Sequence, residues 1–130
     1  MKEYEGRVRL VFKDLPLPFH SLAPAAHEAA RCAGEGGKFW AYHDRLFEEQ
    51  PAFQRDQLVR YAADLGLDRT AFTRCLDDRR FKAAVEADVA QARALGITGT
   101  PTFIINGRAL VGAQPVEAFR SAINDALKAR

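Results

Sequence analysis

Apolar residues recur along this chain with different spacings, and those spacings divide it into elements. From Arg7 to Leu15, Val8, Leu10 and Phe12 share one side of an alternating run, and Val11 adds apolar character to the other. This pattern predicts a β-strand covered on both faces. Leu15-Pro16-Leu17-Pro18 ends it, because proline has no N–H to give to a ladder. The next eighty residues carry helical spacing instead. Ser21 is the expected N-cap of a helix through Ala25, Ala29, Ala30 and Cys32, stopped by Gly34, Gly36 and Gly37. Phe39, Tyr42, Leu46 and Phe47 mark a second helix starting at Lys38, and Leu58, Tyr61, Ala62 and Leu65 mark a third over Gln54–Leu65, closed by Gly66. Asp68 is placed to cap a short helix bearing Phe72, Cys75 and Leu76. A longer one from about Arg79 carries Phe81, Val85, Val89, Ala92 and Leu95 and ends at Gly96. These aromatic and aliphatic stripes predict core.

The last third changes character. Thr102-Phe103-Ile104-Ile105 reads as a strand, Asn106-Gly107 as a two-residue hairpin turn, and Arg108 to Gly112 as the return strand. Pro115 suits the first turn of a final helix with Val116, Phe119, Ile123 and Leu127 on its apolar face. The predicted order is strand, helices, hairpin, helix, without internal repeats.

Composition narrows the function classes. A chain of 130 residues fits one domain able to bury roughly two thirds of its unfolded surface. Its net charge of +2, with basic residues interleaved among acidic ones, argues against a nucleic-acid partner. Met1 to Gly6 holds no signal-peptide core, and no apolar run approaches the ~20 residues that span a bilayer. The expectation is a soluble chain, with no membrane partner and no export address of its own. Its compartment is left undetermined.

One stretch is more specific than the rest. In Ile97-Thr98-Gly99-Thr100-Pro101-Thr102, a proline stands directly before a buried strand, so it belongs to a turn or strand start. Local sequence alone favours a trans bond there. The wider pattern reverses that preference. Gly-Thr-Pro-Thr-Phe-Ile-Ile-Asn-Gly at 99–107 resembles the cis-proline loop and hairpin of thioredoxin-fold oxidoreductases. Val8-Arg-Leu-Val-Phe-Lys-Asp-Leu-Pro-Leu17 resembles the second strand of the DsbA-like branch. The Ala29-Ala-Arg-Cys-Ala33, Gly37-Lys-Phe-Trp-Ala-Tyr-His-Asp-Arg-Leu-Phe47 and Leu65-Gly-Leu-Asp68 segments resemble its helical insertion. The resemblance covers nearly the whole chain in the right order.

It implies an α/β thioredoxin-like fold in a single domain over 1–130: a strand at 7–15, a helical insertion over about 21–95, and a cis-proline loop, hairpin and helix over 97–130. It implies a thiol–disulfide oxidoreductase, usually of the periplasm or cell envelope, acting on extended or unfolded proteins and using no cofactor. Gly99, Thr100 and Pro101 would bind the substrate backbone by strand addition, which is indifferent to sequence. The family's chemistry resides in a Cys-x-x-Cys pair where a helix N-terminus stabilises the thiolate, and no such pair occurs here. Lys2 to Gly6 resembles the tail of the helix that follows that pair. The expected fold therefore lacks the first β-strand and most of the first helix, and no catalytic residue is assigned. Whether the chain is an enzyme is left open: it reads either as part of a longer reading frame or as a redox-inactive variant. The loss of the central strand predicts self-association through unpaired edges around Val11 and Phe103. A non-catalytic peptide-binding or oligomerising module is the alternative function.

Cys32 and Cys75 are the chain's two cysteines. Neither falls at a helix N-terminus, so nothing visible would activate them. Their residues alone leave open two buried thiols, a redox pair or a structural disulfide, and the family resemblance makes the last suitable. His27-Glu28 begins a zinc-protease pattern, but Arg31 stands where its second histidine belongs. His20, His27 and His43 lack ligand spacing, so no metal is expected. Asp14 and Glu28 read as solvated or capping carboxylates, and His43 as a packing or surface residue.

Overall fold

The computed structural model describes residues 1–129. It divides into two compact units, Met1–Ala90 and the remainder from Gln91, and each has its own logic.

The first unit opens with a short 3-10 turn at Lys2–Tyr4 and then gathers helices α1 (Ala23–Glu35), α2 (Phe39–Glu48), α3 (Arg55–Asp64) and α4 (Arg69–Asp77). Its α1 is built to be buried. Ala26, Ala29, Ala30, Cys32 and Ala33 form its inner side, and such small residues let α2, α3 and α4 all pack against it. Close approach continues past its end, where a Cβ on Gly36 would stand 2.4 Å from a Leu67 methyl. Large side chains fill the space that remains. Tyr42, Leu58 and Tyr61 are fully buried, with Leu46, Phe72 and Leu76 around them.

The two tyrosines can be buried because each hydroxyl has a main-chain acceptor. Tyr42 donates to the Leu58 carbonyl at 2.8 Å and Tyr61 to the Ala52 carbonyl at 2.7 Å. Burial raises the Tyr42 pKa, so this proton stays in place. Tyr42→Phe is expected to cost about 1 kcal/mol in chemical denaturation, the net value of one such bond. No measurable change would show that the bond contributes nothing.

Local chemistry agrees with the helix ends. Asp68 caps α4 by accepting from the Ala71 N–H at 2.8 Å, and the Gln57 side chain accepts from the N–H of Gln54 at the start of α3. Ser21 is not the cap of α1: the helix starts one residue beyond Leu22 and has Pro24 in its first turn. Helix α5 (Lys82–Ala94) starts later than its apolar stripe implies. Arg79 adopts a left-handed φ of 50° that breaks the chain between α4 and α5.

The strand expected over Arg7–Leu15 is absent as a paired element. Residues 8–17 have no regular secondary structure, and the described residues contain a single sheet of two strands. The cause is physical: a strand exists through its ladder, and no second strand lies beside this one. Leu10 and Val11 are consequently about half exposed.

The second unit is small. Strands β1 (Thr102–Ile105) and β2 (Arg108–Val111) pair antiparallel, with Ile105 opposite Arg108. Asn106 and Gly107 between them both have positive φ, 49° and 88°, as the tight hairpin turn requires. Helix α6 (Val116–Lys128) packs on β1, and the Phe103 and Phe119 rings meet edge to face at 4.8 Å. A thioredoxin-like, helix-rich α/β domain results.

Candidate functional site

The loop before β1 is shaped by its own hydrogen bonds. The Ile97 N–H closes the end of α5 on the Ala92 carbonyl at 2.9 Å, and the Thr102 hydroxyl donates to the Gly99 carbonyl at 2.7 Å. The Thr100-Pro101 peptide is cis. The Pro101 carbonyl accepts from the Gly112 N–H at 2.8 Å, which extends the ladder by one pair into the loop. Proline has no N–H to return. Thr100 and Pro101 are exposed, and the N–H and C=O of Thr100 make no hydrogen bond among the described residues. Gly99 is half-buried, with open space where a Cβ would stand. The loop thus displays free main-chain donors and acceptors next to a strand, an arrangement suited to an extended polypeptide.

The two cysteines are elsewhere and differently used. Cys32 in α1 and Cys75 in α4 form a disulfide, with Cα atoms 5.9 Å apart. Cys32 is 4% exposed and Cys75 1%. Attack on a disulfide requires access to a sulfur, and this bond offers none. It acts as a staple between helices.

The pairing around Asp14 was not legible in the sequence. This carboxylate is 2% exposed, contrary to its reading as a solvated group. His27 Nδ1 lies 2.7 Å from its Oδ1, and Arg31 Nε donates to its Oδ2 at 2.5 Å. Arg31 Nη2 also reaches Asp88 of α5 at 2.7 Å, and that same carboxylate accepts the Asp14 N–H at 2.9 Å. Burial acts to raise the Asp14 pKa, but the hydrogen bonds and charges of His27 and Arg31 outweigh it and hold the carboxyl below its ordinary range. Glu28 is likewise buried instead of solvated, and Arg79 grips both its oxygens. The signal for the first pair was His27 and Arg31 four residues apart on α1, hence on one face. A lone aspartate after an apolar run gave no hint of the third partner. His43 is a packing residue: its ring meets Phe12 at 4.9 Å, Phe47 at 4.7 Å and Trp40 at 5.2 Å. No group of three metal-ligating side chains occurs among the described residues, and no helix among them is long and apolar enough to cross a membrane.

Comparison with known proteins gives one family. A model described as thioredoxin matches residues 1–125. Among curated relatives, a protein named Na(+)/H(+) antiporter NhaA 3 from Salinispora tropica is 41% identical over 120 residues, 92% of this chain and 18% of its own length. A Na(+)/H(+) antiporter NhaA from Herminiimonas arsenicoxydans is 42% identical over 97 residues, 75% of this chain and 16% of its own. The uncharacterized protein YwbO of Bacillus subtilis is 32% identical over 117 residues, 84% of this chain and 58% of its own. The chain therefore spans under a fifth of the length of the antiporter-named relatives.

Proposed function

The chain belongs to the thioredoxin family, and from that premise we propose that it is the substrate-binding part of a DsbA-like thiol–disulfide oxidoreductase. Its task is to hold an extended polypeptide along the loop of Gly99, Thr100 and Pro101, through main-chain hydrogen bonds to Thr100. The observation that carries this reading is the exposed, unpaired main chain of Thr100 beside the Pro101–Gly112 bond. Thiol–disulfide exchange needs a thiolate and an accessible sulfur. The chain's two cysteines are joined to each other in the core, so exchange requires cysteines from outside these residues. The chain by itself is a redox-inactive polypeptide binder. Unfolded proteins are the proposed partners, and the stapled core suits an oxidising compartment such as the cell envelope. The reading takes no transport activity from the antiporter-named relatives, since the matched segment is under a fifth of their length.

Two assays on the purified chain test this. In insulin reduction it is expected to show no rate above the uncatalysed background. In fluorescence anisotropy it is expected to bind a labelled, carboxymethylated unfolded polypeptide saturably, with little dependence on that polypeptide's sequence. Reductase activity that disappears in Cys32→Ser would make that cysteine catalytic and overturn the reading. Absence of polypeptide binding would remove its other half.

A further inference from the structure

The apex of the hairpin joins two groups that can react with each other. Asn106 and Gly107 are both exposed, and both lie in the left-handed region, at φ 49° and 88°. Ile105 and Arg108 beside them are the last partners of the ladder, so release of that one pair frees the torsions of the turn. The Asn106 side-chain amide has no partner among the described residues. A Cβ on Gly107 would meet nothing within 4 Å, so no side chain or close neighbour shields its main-chain nitrogen. Asparagine followed by glycine suits this turn because each accepts a positive φ. The same pair sets an unshielded nitrogen directly after a primary carboxamide. Asn124, the chain's other asparagine, is exposed too, but it lies inside α6 and is followed by Asp125. There the helix fixes the torsions and commits the next nitrogen to its own hydrogen bond.

We propose that Asn106 is a modification site at which the chain attacks itself. The Gly107 nitrogen, giving its proton to hydroxide, forms a bond to Asn106 Cγ. The Cγ–Nδ2 bond breaks, and Nδ2 leaves as ammonia with a proton from water. The cyclic imide that remains is opened by water at either carbonyl. In sum an amide and water give an acid and ammonia, and nothing is oxidised or reduced. Opening at Cγ leaves an ordinary aspartate, and Asp-Gly is also a favoured pair for this turn, so the hairpin survives. Opening at the main-chain carbonyl leaves the chain running through Cγ, an isoaspartyl link. It adds a carbon to the main chain inside a two-residue turn, and Ile105 and Arg108 lose their register. Position 106 is thus a timer on the hairpin, whose far end holds Pro101 through the Gly112 N–H. The proposal stands apart from polypeptide binding, and its readouts use no client.

The purified chain, held in mildly alkaline buffer and sampled over days, tests it. Trypsin separates the two asparagines, into peptides 94–108 and 121–128. Mass spectrometry is expected to show amide-to-acid conversion at least about tenfold faster in the first than in the second. The rate should rise with pH, and the isoaspartyl form should be among the products. Amide exchange at Arg108 is expected to lose protection in step with the isoaspartyl fraction. Asn106→Gly keeps a turn that accepts positive φ and has no side-chain amide, so the same treatment should leave its hairpin unchanged. Equal conversion of the two peptides overturns the site. Full protection of Arg108 in the isoaspartyl chain, or its loss in treated Asn106→Gly as well, overturns the effect on the hairpin.

Discussion

Asp14→Ala is expected to destabilise the first unit by about 2–3 kcal/mol, the cost of removing a buried carboxylate that accepts charged hydrogen bonds. Arg31, which bridges Asp14 and Asp88, is left with the second carboxylate alone. Asp14 also ties residues 8–17, which lack a ladder of their own, to α1 and α5 through its side chain and its N–H. Urea denaturation measures the effect, and a loss below about 1 kcal/mol would show the contacts to be incidental. The same carboxylate sets a pH dependence. Its pKa is lowered on folding, so its contribution is fully present above the unfolded value near ~3.9. That contribution is lost as pH falls through the lower, folded value. Wild-type stability should therefore drop in this acid window, and Asp14→Asn should flatten that part of the profile. Since Asp14 and Arg31 are in direct contact, the double variant Asp14→Ala with Arg31→Met should cost less than the sum of the two singles.

Breaking the Cys32–Cys75 bond should be more severe. The bridge closes a loop over a separation of 43 residues, which in the chain-entropy model contributes about 4 kcal/mol. Against a typical total of ~5–15 kcal/mol, that is a large fraction. The double variant Cys32→Ala with Cys75→Ala is expected to melt roughly 10–20 °C lower, taking about 3–5 °C per kcal/mol for a domain of this size. Thiol titration under denaturing conditions without reductant checks the premise and should find no free thiol. Two free thiols, or an unchanged melting point in the double variant, would refute the staple.

Where the sequence was legible, a local rule sufficed. Asn106-Gly107 names a turn that only a narrow set of residues can make, and Asp68 a cap that reads from four residues. The stripes of α2, α3 and α4 follow from helical period alone. The strand around Val11 failed because its pattern reports burial on two faces, while strand formation depends on a neighbour lying far off in sequence. Asp14 failed for a related reason. Its partners, His27, Arg31 and Asp88, come from two helices up to 74 residues away, and a single buried carboxylate looks like any surface one until those helices are placed. The cis Gln50-Pro51 bond carried no warning beyond the proline itself. By contrast, Thr100-Pro101 was legible because the family resemblance surrounds it on both sides. The Cys32–Cys75 bond was one of several open readings until α1 and α4 were seen packed together.

The central claim is that an unfolded polypeptide docks on the exposed main chain at Gly99, Thr100 and Pro101. The most direct measurement is a residue-resolved NMR titration of the labelled chain with a carboxymethylated unfolded polypeptide, made at a concentration where the chain is monomeric. The account predicts saturable shifts largest at the amides of Gly99, Thr100 and Thr102, with those of Cys32 and Cys75 unmoved. Shifts centred on the first unit, or none at saturating polypeptide, would contradict it.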